Sequence, residues 1–83
     1  MKLTYDPEAD AAYIYVADRI AAGEVRQTHP CELEGVSGSI NLDFDASGRL
    51  LGIEVLGAKT VLPAEALKKA EWPATPGPVS KNR

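Results

Sequence analysis

The sequence predicts an α+β fold: an antiparallel β-meander of four to five strands, one C-terminal helix packed on the sheet, and a Pro-rich tail. Three observations carry that expectation. Apolar and polar residues alternate through most of residues 1–58, the period-two spacing of half-buried strands. Turn residues interrupt the pattern at short intervals, and short connections join antiparallel neighbours. Residues 61–72 change to a helical spacing, and from Pro73 three prolines in six residues stop both a helix and an inner strand. The expected organisation is one small β-rich domain over residues 1–72 and a Pro/Gly-rich tail over residues 73–83, expected to be mobile.

The first hairpin is built on Leu3 and Tyr5, then Asp6-Pro7-Glu8-Ala9-Asp10, then a strand over residues 11–17. Pro7 sets the start of the turn, and the acidic residues favour local hydrogen bonds to the backbone. A loop over residues 7–10 pairs Tyr5 with Ala12 and Leu3 with Ile14. Leu3, Tyr5, Ala12, Ile14 and Val16 then share one face. Lys2, Thr4, Tyr13 and Tyr15 share the other, which the tyrosines make amphipathic.

The next segment is less regular. Residues 18–23 fit a loop or one helical turn, and residues 25–29 read as a strand. Pro30 puts that strand at an edge or ends it, with residues 31–33 as a continuation beyond a kink. Gly35-Val36-Ser37-Gly38 is a turn.

The clearest element is a second hairpin. Ile40, Leu42 and Phe44 alternate with Asn41, Asp43 and Asp45, and Leu51, Ile53 and Val55 alternate with Gly52 and Glu54. With Ser47-Gly48 as a two-residue loop, Phe44 faces Leu51, Leu42 faces Ile53 and Ile40 faces Val55. A three-residue loop shifts the pairing by one and sets Glu54 among the apolar side chains, so the even register is expected. Gly48 supplies the positive φ of a tight turn.

Residues 62–71 read as one helix. Pro63 suits the first helical position, Glu65 the amino end, and Lys68 and Lys69 the carboxyl end. Leu67 and Ala70, with Ala66, form a narrow apolar stripe that covers part of the aliphatic sheet face. Trp72 reads as a cap over the core's edge; the alternative is an exposed anchor for a partner.

Composition narrows the function. The chain of 83 residues is 45% hydrophobic and 25% charged, ordinary for a globular protein. Its apolar runs, such as residues 11–17, are far shorter than the ~18 residues of a membrane span. The first residues turn acidic before any signal-like apolar segment. One cysteine precludes an internal disulfide framework and fits a reducing cytoplasm. A net charge of −3 predicts no broad attraction to nucleic acid or anionic membrane. A chain this short builds a marginal core, which makes a homodimer or a protein partner an expected remedy.

One motif bears on metals. Asp43-Phe44-Asp45-Ala46-Ser47-Gly48, five residues, then Glu54 has the spacing of an EF-hand calcium loop. That loop sits between helices, whereas both flanks here alternate as strands. In the hairpin register Glu54 lies opposite Asn41. At ~3.3 Å per residue it is ~10 Å or more from the turn oxygens, too far to close a calcium shell there. A structural hairpin is the preferred reading. His29-Pro30-Cys31 holds the one histidine and the one cysteine, but no residue is predicted to orient the imidazole or activate the thiol. The carboxylates Asp6, Glu8, Asp10, Asp43, Asp45 and Glu54 could supply an acid–base pair, yet most sit in turns where local hydrogen bonding explains them. The sequence carries no Walker, GxGxxG or GxSxG motif and no paired Cys or His metal pattern.

Two separated motifs do resemble a known family. Tyr5-Asp6-Pro7-Glu8-Ala9-Asp10-Ala11-Ala12-Tyr13-Ile14 is followed in order by Asn41-Leu42-Asp43-Phe44-Asp45, by Gly48-Arg49-Leu50-Leu51-Gly52-Ile53-Glu54-Val55-Leu56 and by Ala58. The set resembles the small bacterial family catalogued as domain of unknown function 2283, over most of residues 2–62. The resemblance implies a compact β-rich domain, mostly stand-alone, with no assigned activity, and it adds no catalytic residue. Each motif residue also has a turn or core role, which favours a binding module over an enzyme. The expected function is a non-enzymatic protein-interaction or self-assembly module, antitoxin-like partner binding being one form of it. Its candidate interaction face is Tyr13, Tyr15 and Trp72. No catalytic, cofactor or metal residue is assigned. The alternative is a small hydrolase or metal-binding protein using the turn carboxylates.

Overall fold

The computed structural model describes residues 1–72; the expected Pro-rich tail lies outside them. Five strands form one antiparallel sheet: β1 (Lys2–Asp6), β2 (Ala11–Tyr15), β3 (Gln27–Cys31), β4 (Ser39–Phe44) and β5 (Leu50–Leu56). Two short helices follow, α1 (Ala58–Val61) and α2 (Ala64–Lys68). The α+β class therefore holds.

The meander does not. The strand order is β1-β2-β5-β4-β3, so β5 inserts beside β2 and residues 16–26 carry the chain across to the far edge. This is a Greek key, in which a long connection returns a fourth strand beside a three-strand meander. Burial explains the order. β5 is the most buried strand, while four of the five residues of β3 are exposed. A meander would put β3 at the centre, where Pro30 could not donate to a second neighbour.

The first hairpin has the expected register, with Leu3 opposite Ile14 and Tyr5 opposite Ala12. The second reaches the expected core register by a different turn. Asp45 N–H donates to Arg49 O at 2.9 Å and Gly48 N–H to Asp45 O at 3.0 Å, enclosing a three-residue loop. Gly48 takes φ 82° there, the left-handed conformation that glycine adopts freely. A bulge then absorbs the odd residue: Phe44 pairs with Leu50, not Leu51, and Asp43 pairs with Gly52. Beyond it, Leu42 faces Ile53 and Ile40 faces Val55, and Glu54 stays off the apolar face.

The single helix expected over residues 62–71 is two pieces. Leu62 is extended at φ −103°, ψ 148°, because the ring of a following proline disfavours the helical conformation. α1 begins earlier, after Gly57, and Pro63 serves as the cap of α2 instead of its first residue. Together the two helices cover one end of the aliphatic face. Ala12, Val55 and Ala58 are buried there, with Leu3, Tyr5, Ile53, Val61, Leu62 and Leu67 packed around them. That cluster draws on β1, β2 and β5 and on neither β3 nor β4. Trp72 is 69% exposed and does not cap it.

The outer side of β1 is closed by returning chain. Tyr5 N–H donates to Glu71 O, and Glu71 N–H to Leu3 O, both at 2.9 Å. Among the described residues the free sheet edge is β3.

Candidate functional site

The two faces of the sheet differ in chemistry. On the face away from the helices, paired positions place Tyr13, Glu54 and Asn41 in one row and Tyr15, Gly52, Asp43 and Thr28 in the next. Asp43 is fully buried. Its Oδ2 accepts the Tyr13 hydroxyl and its Oδ1 the Thr28 hydroxyl, each at 2.7 Å. Asn41 donates to Glu54 Oε1 at 3.1 Å. Gly52 makes this possible, since a β-carbon there would overlap the Tyr13 ring that lies across it. The network is internally satisfied, and no buried side-chain polar atom among the described residues lacks a partner.

The turn carboxylates are also engaged. Asp6 accepts the Glu8 N–H at 3.0 Å. Asp45 accepts the N–H groups of Ser47 and Arg49, both at 2.9 Å. The Arg49 backbone bond above all, with the Ser47 N–H and the Arg49 guanidinium, holds the Asp45 carboxyl below the usual carboxylate range. Asp10 does more than turn the chain. It adopts φ 51°, its carbonyl accepts the N–H groups of Gly57 and Ala58, and its Oδ1 accepts the Lys59 N–H and the Tyr5 hydroxyl. It ties the first hairpin to the start of α1. The bond to Asp10 holds the Tyr5 hydroxyl pKa above its ordinary value.

The residues with calcium-loop spacing are therefore dispersed. Asp45 closes the turn, Asp43 binds two hydroxyls, and Glu54 lies opposite Asn41 as its register predicts. Among the described residues no group of three His, Cys, Asp or Glu side chains is placed to hold a metal ion.

His29 and Cys31 share the other face, opposite Leu42 and Ile40. No hydrogen bond joins them. His29 instead stands edge-on to Phe44, with ring centroids 5.8 Å apart. Gln27, His29, Leu42, Phe44 and Gly48 line an open, mainly apolar concavity of about 400 Å³. This is the end of the aliphatic face that the helices leave uncovered, and it borders the free edge of β3.

Of the three residues expected to form an interaction face, two are in contact. Tyr13 and Tyr15 are in edge contact at 4.8 Å, but Tyr13 is only 4% exposed and is committed to Asp43. Tyr15 is half-buried beneath the Lys2 ammonium, 4.6 Å from its ring centre, and burial raises its pKa. Trp72 follows Glu71 at the β1 side.

This arrangement accounts for both sequence motifs. Asp10 of the first meets Gly57 and Ala58 beyond the second, and Tyr13 of the first meets Asp43. Residues 2–59 match the family described as protein of unknown function (DUF2283). The chain belongs to this family. No curated protein and no solved structure gives a match. The family's motif residues thus appear here as the joints of the Greek key. Sequence reading missed Thr28 as the second donor to Asp43 and Asp10 as a helix cap. A glycine inside an apolar strand, Gly52, was the one available signal of close approach.

Proposed function

We propose that this member of the family is a non-enzymatic protein-interaction module that docks through the β3 edge and the apolar strip beside it. One observation carries the reading: the helical cover ends over β5 and leaves His29, Leu42 and Phe44 lining an open concavity next to the free outer edge of β3. Exposed apolar surface beside a free edge is the usual chemistry of strand and groove docking. Leu33 and Val36 in the β3–β4 loop are exposed apolar residues as well. In a two-gene system the same surface would serve an antitoxin-like hold on its partner. The hydrolase or metal-binding alternative finds less support, because Asp43, Asp45, Asp10 and Asp6 all spend oxygens on internal donors.

The test is retention of a purified operon-neighbour protein, or of a second tagged copy, on the immobilised full chain. His29→Asp, at an exposed position, is expected to abolish retention, while Trp72→Ala preserves it. Equal retention by both variants, or none by the wild type, would sink the reading.

A further inference from the structure

The free edge of β3 has a specific hydrogen-bonding pattern. Pro30 pairs with Asn41, yet a proline has no N–H to give. Their pair is therefore of the non-hydrogen-bonded kind, and the ladder bonds to β4 come from the flanking residues His29 and Cys31. Alternation then turns the backbones of Thr28 and Pro30 outward. The open edge presents the Thr28 N–H, the Thr28 carbonyl and the Pro30 carbonyl. Arg26, one step before the strand, has already given its N–H to Phe44 O at 2.9 Å.

We infer that the occupant of this edge is a second copy of the same chain, paired β3 to β3 antiparallel about a two-fold axis at His29. The inference rests on the docking reading above and names its partner. Centring on His29 sets each Thr28 opposite Pro30 of the other copy, so both outward N–H donors meet an outward carbonyl. Centring on Thr28 serves the two donors equally, since each then meets the Thr28 carbonyl of the other copy. The charge pattern favours the first register over the second. Arg26 and Glu32 lie three residues before and three after His29, so centring on His29 brings Arg26 of each copy opposite Glu32 of the other. Both side chains are exposed, and neither has a side-chain partner among the described residues. Centring on Thr28 would instead oppose Glu32 and Glu24. Glu24 is in any case turned into its own loop, where it accepts the Ala21 N–H at 2.9 Å.

Pairing about that axis keeps the same face up in both copies. The two His29 rings meet on the helix-bearing side, and the concavities at Leu42 and Phe44 join into one apolar strip. An isologous contact of this kind is closed, because each edge is used once. Pro30 limits the ladder to few bonds, so the charge pairs carry much of the register choice.

The experiment is sedimentation equilibrium of the full chain between ~1 and ~100 μM, at low salt where exposed charges are least screened. The wild type is expected to shift reversibly from 8.9 kDa towards twice that mass. Arg26→Glu and Glu32→Arg each place like charges opposite one another, and each should weaken the dimer by roughly tenfold or more. An equimolar mixture of these two variants puts opposite charges at both contacts, and it should recover wild-type association. A wild type that stays at the monomer mass overturns the inference, as do single reversals without effect and a mixture that fails to recover. If the wild type is monomeric while His29→Asp still abolishes retention of a protein neighbour, only the self-pairing is lost and the docking reading stands.

Discussion

Asp43 shows how one polar residue organises a sheet face. It is fully buried, and a carboxylate in that position is stable only when its oxygens are paired. Tyr13 on β2 and Thr28 on β3 reach it from either side of β4 and β5. The bland assignment of Asp43 to a polar strand face was legible from period-two alternation, but the partners were not. Thr28 lies on β3, an exposed strand whose register against β4 no apolar pattern marks, and hydroxyl pairing between strands leaves no periodic trace. Asp45 acts locally and was legible as a turn residue. Its folded pKa is depressed, chiefly by the Arg49 N–H, so the native state binds the proton less tightly than the unfolded chain. The stability this supplies is present above the unfolded value of about 3.9 and is lost as pH falls through the folded one. Urea midpoints between pH 6 and 2 should therefore fall more steeply for the wild type than for Asp45→Asn. Parallel curves would show that the turn carboxylate does not titrate with folding.

At the scale of elements, Pro30 is the most informative position. Its edge character was readable from covalent chemistry alone, and it already conflicted with a meander, which would make β3 the central strand. The Greek key resolves that conflict by placing β5, buried on both faces, at the centre. Pro63 acted on its neighbour: the helical stripe around Leu67 was real, but Leu62 was forced out of the helix. The second hairpin shows why a correct register can hide a wrong turn. A three-residue loop and a one-residue bulge cancel, and only the apolar pairs leave a signature in sequence. Gly52 belongs to the same hairpin, and its lack of a side chain lets the Tyr13 ring cross β5. Gly52→Ala should displace that ring and strain its bond to Asp43. The expected cost is about 1–3 kcal/mol, read as a lower denaturation midpoint with an unchanged m-value. A loss below about 0.5 kcal/mol would mean that the ring moves aside freely.

For the whole molecule, the limiting quantity is cover. Two helices of four and five residues shield one end of a five-stranded sheet, and among the described residues the enclosed cluster is Ala12, Val55 and Ala58. A domain this size has a few kcal/mol of net stability to lose, at roughly 0.05–0.15 kcal/mol per residue. Val55, 2% exposed, is the largest side chain in that cluster. Val55→Ala removes two methyl groups from a site bounded by backbone on both flanks, where collapse is restricted. A loss of about 2 kcal/mol is expected, by analogy with other large-to-small core changes. If two copies pair through β3, folding and association are linked, and mass action adds stability as concentration rises. The melting temperature of Val55→Ala should then climb with protein concentration, and this climb should vanish when Arg26→Glu is added. A melting temperature independent of concentration in both chains would show that the thin core stands alone, with the open end of the sheet contributing nothing to its stability.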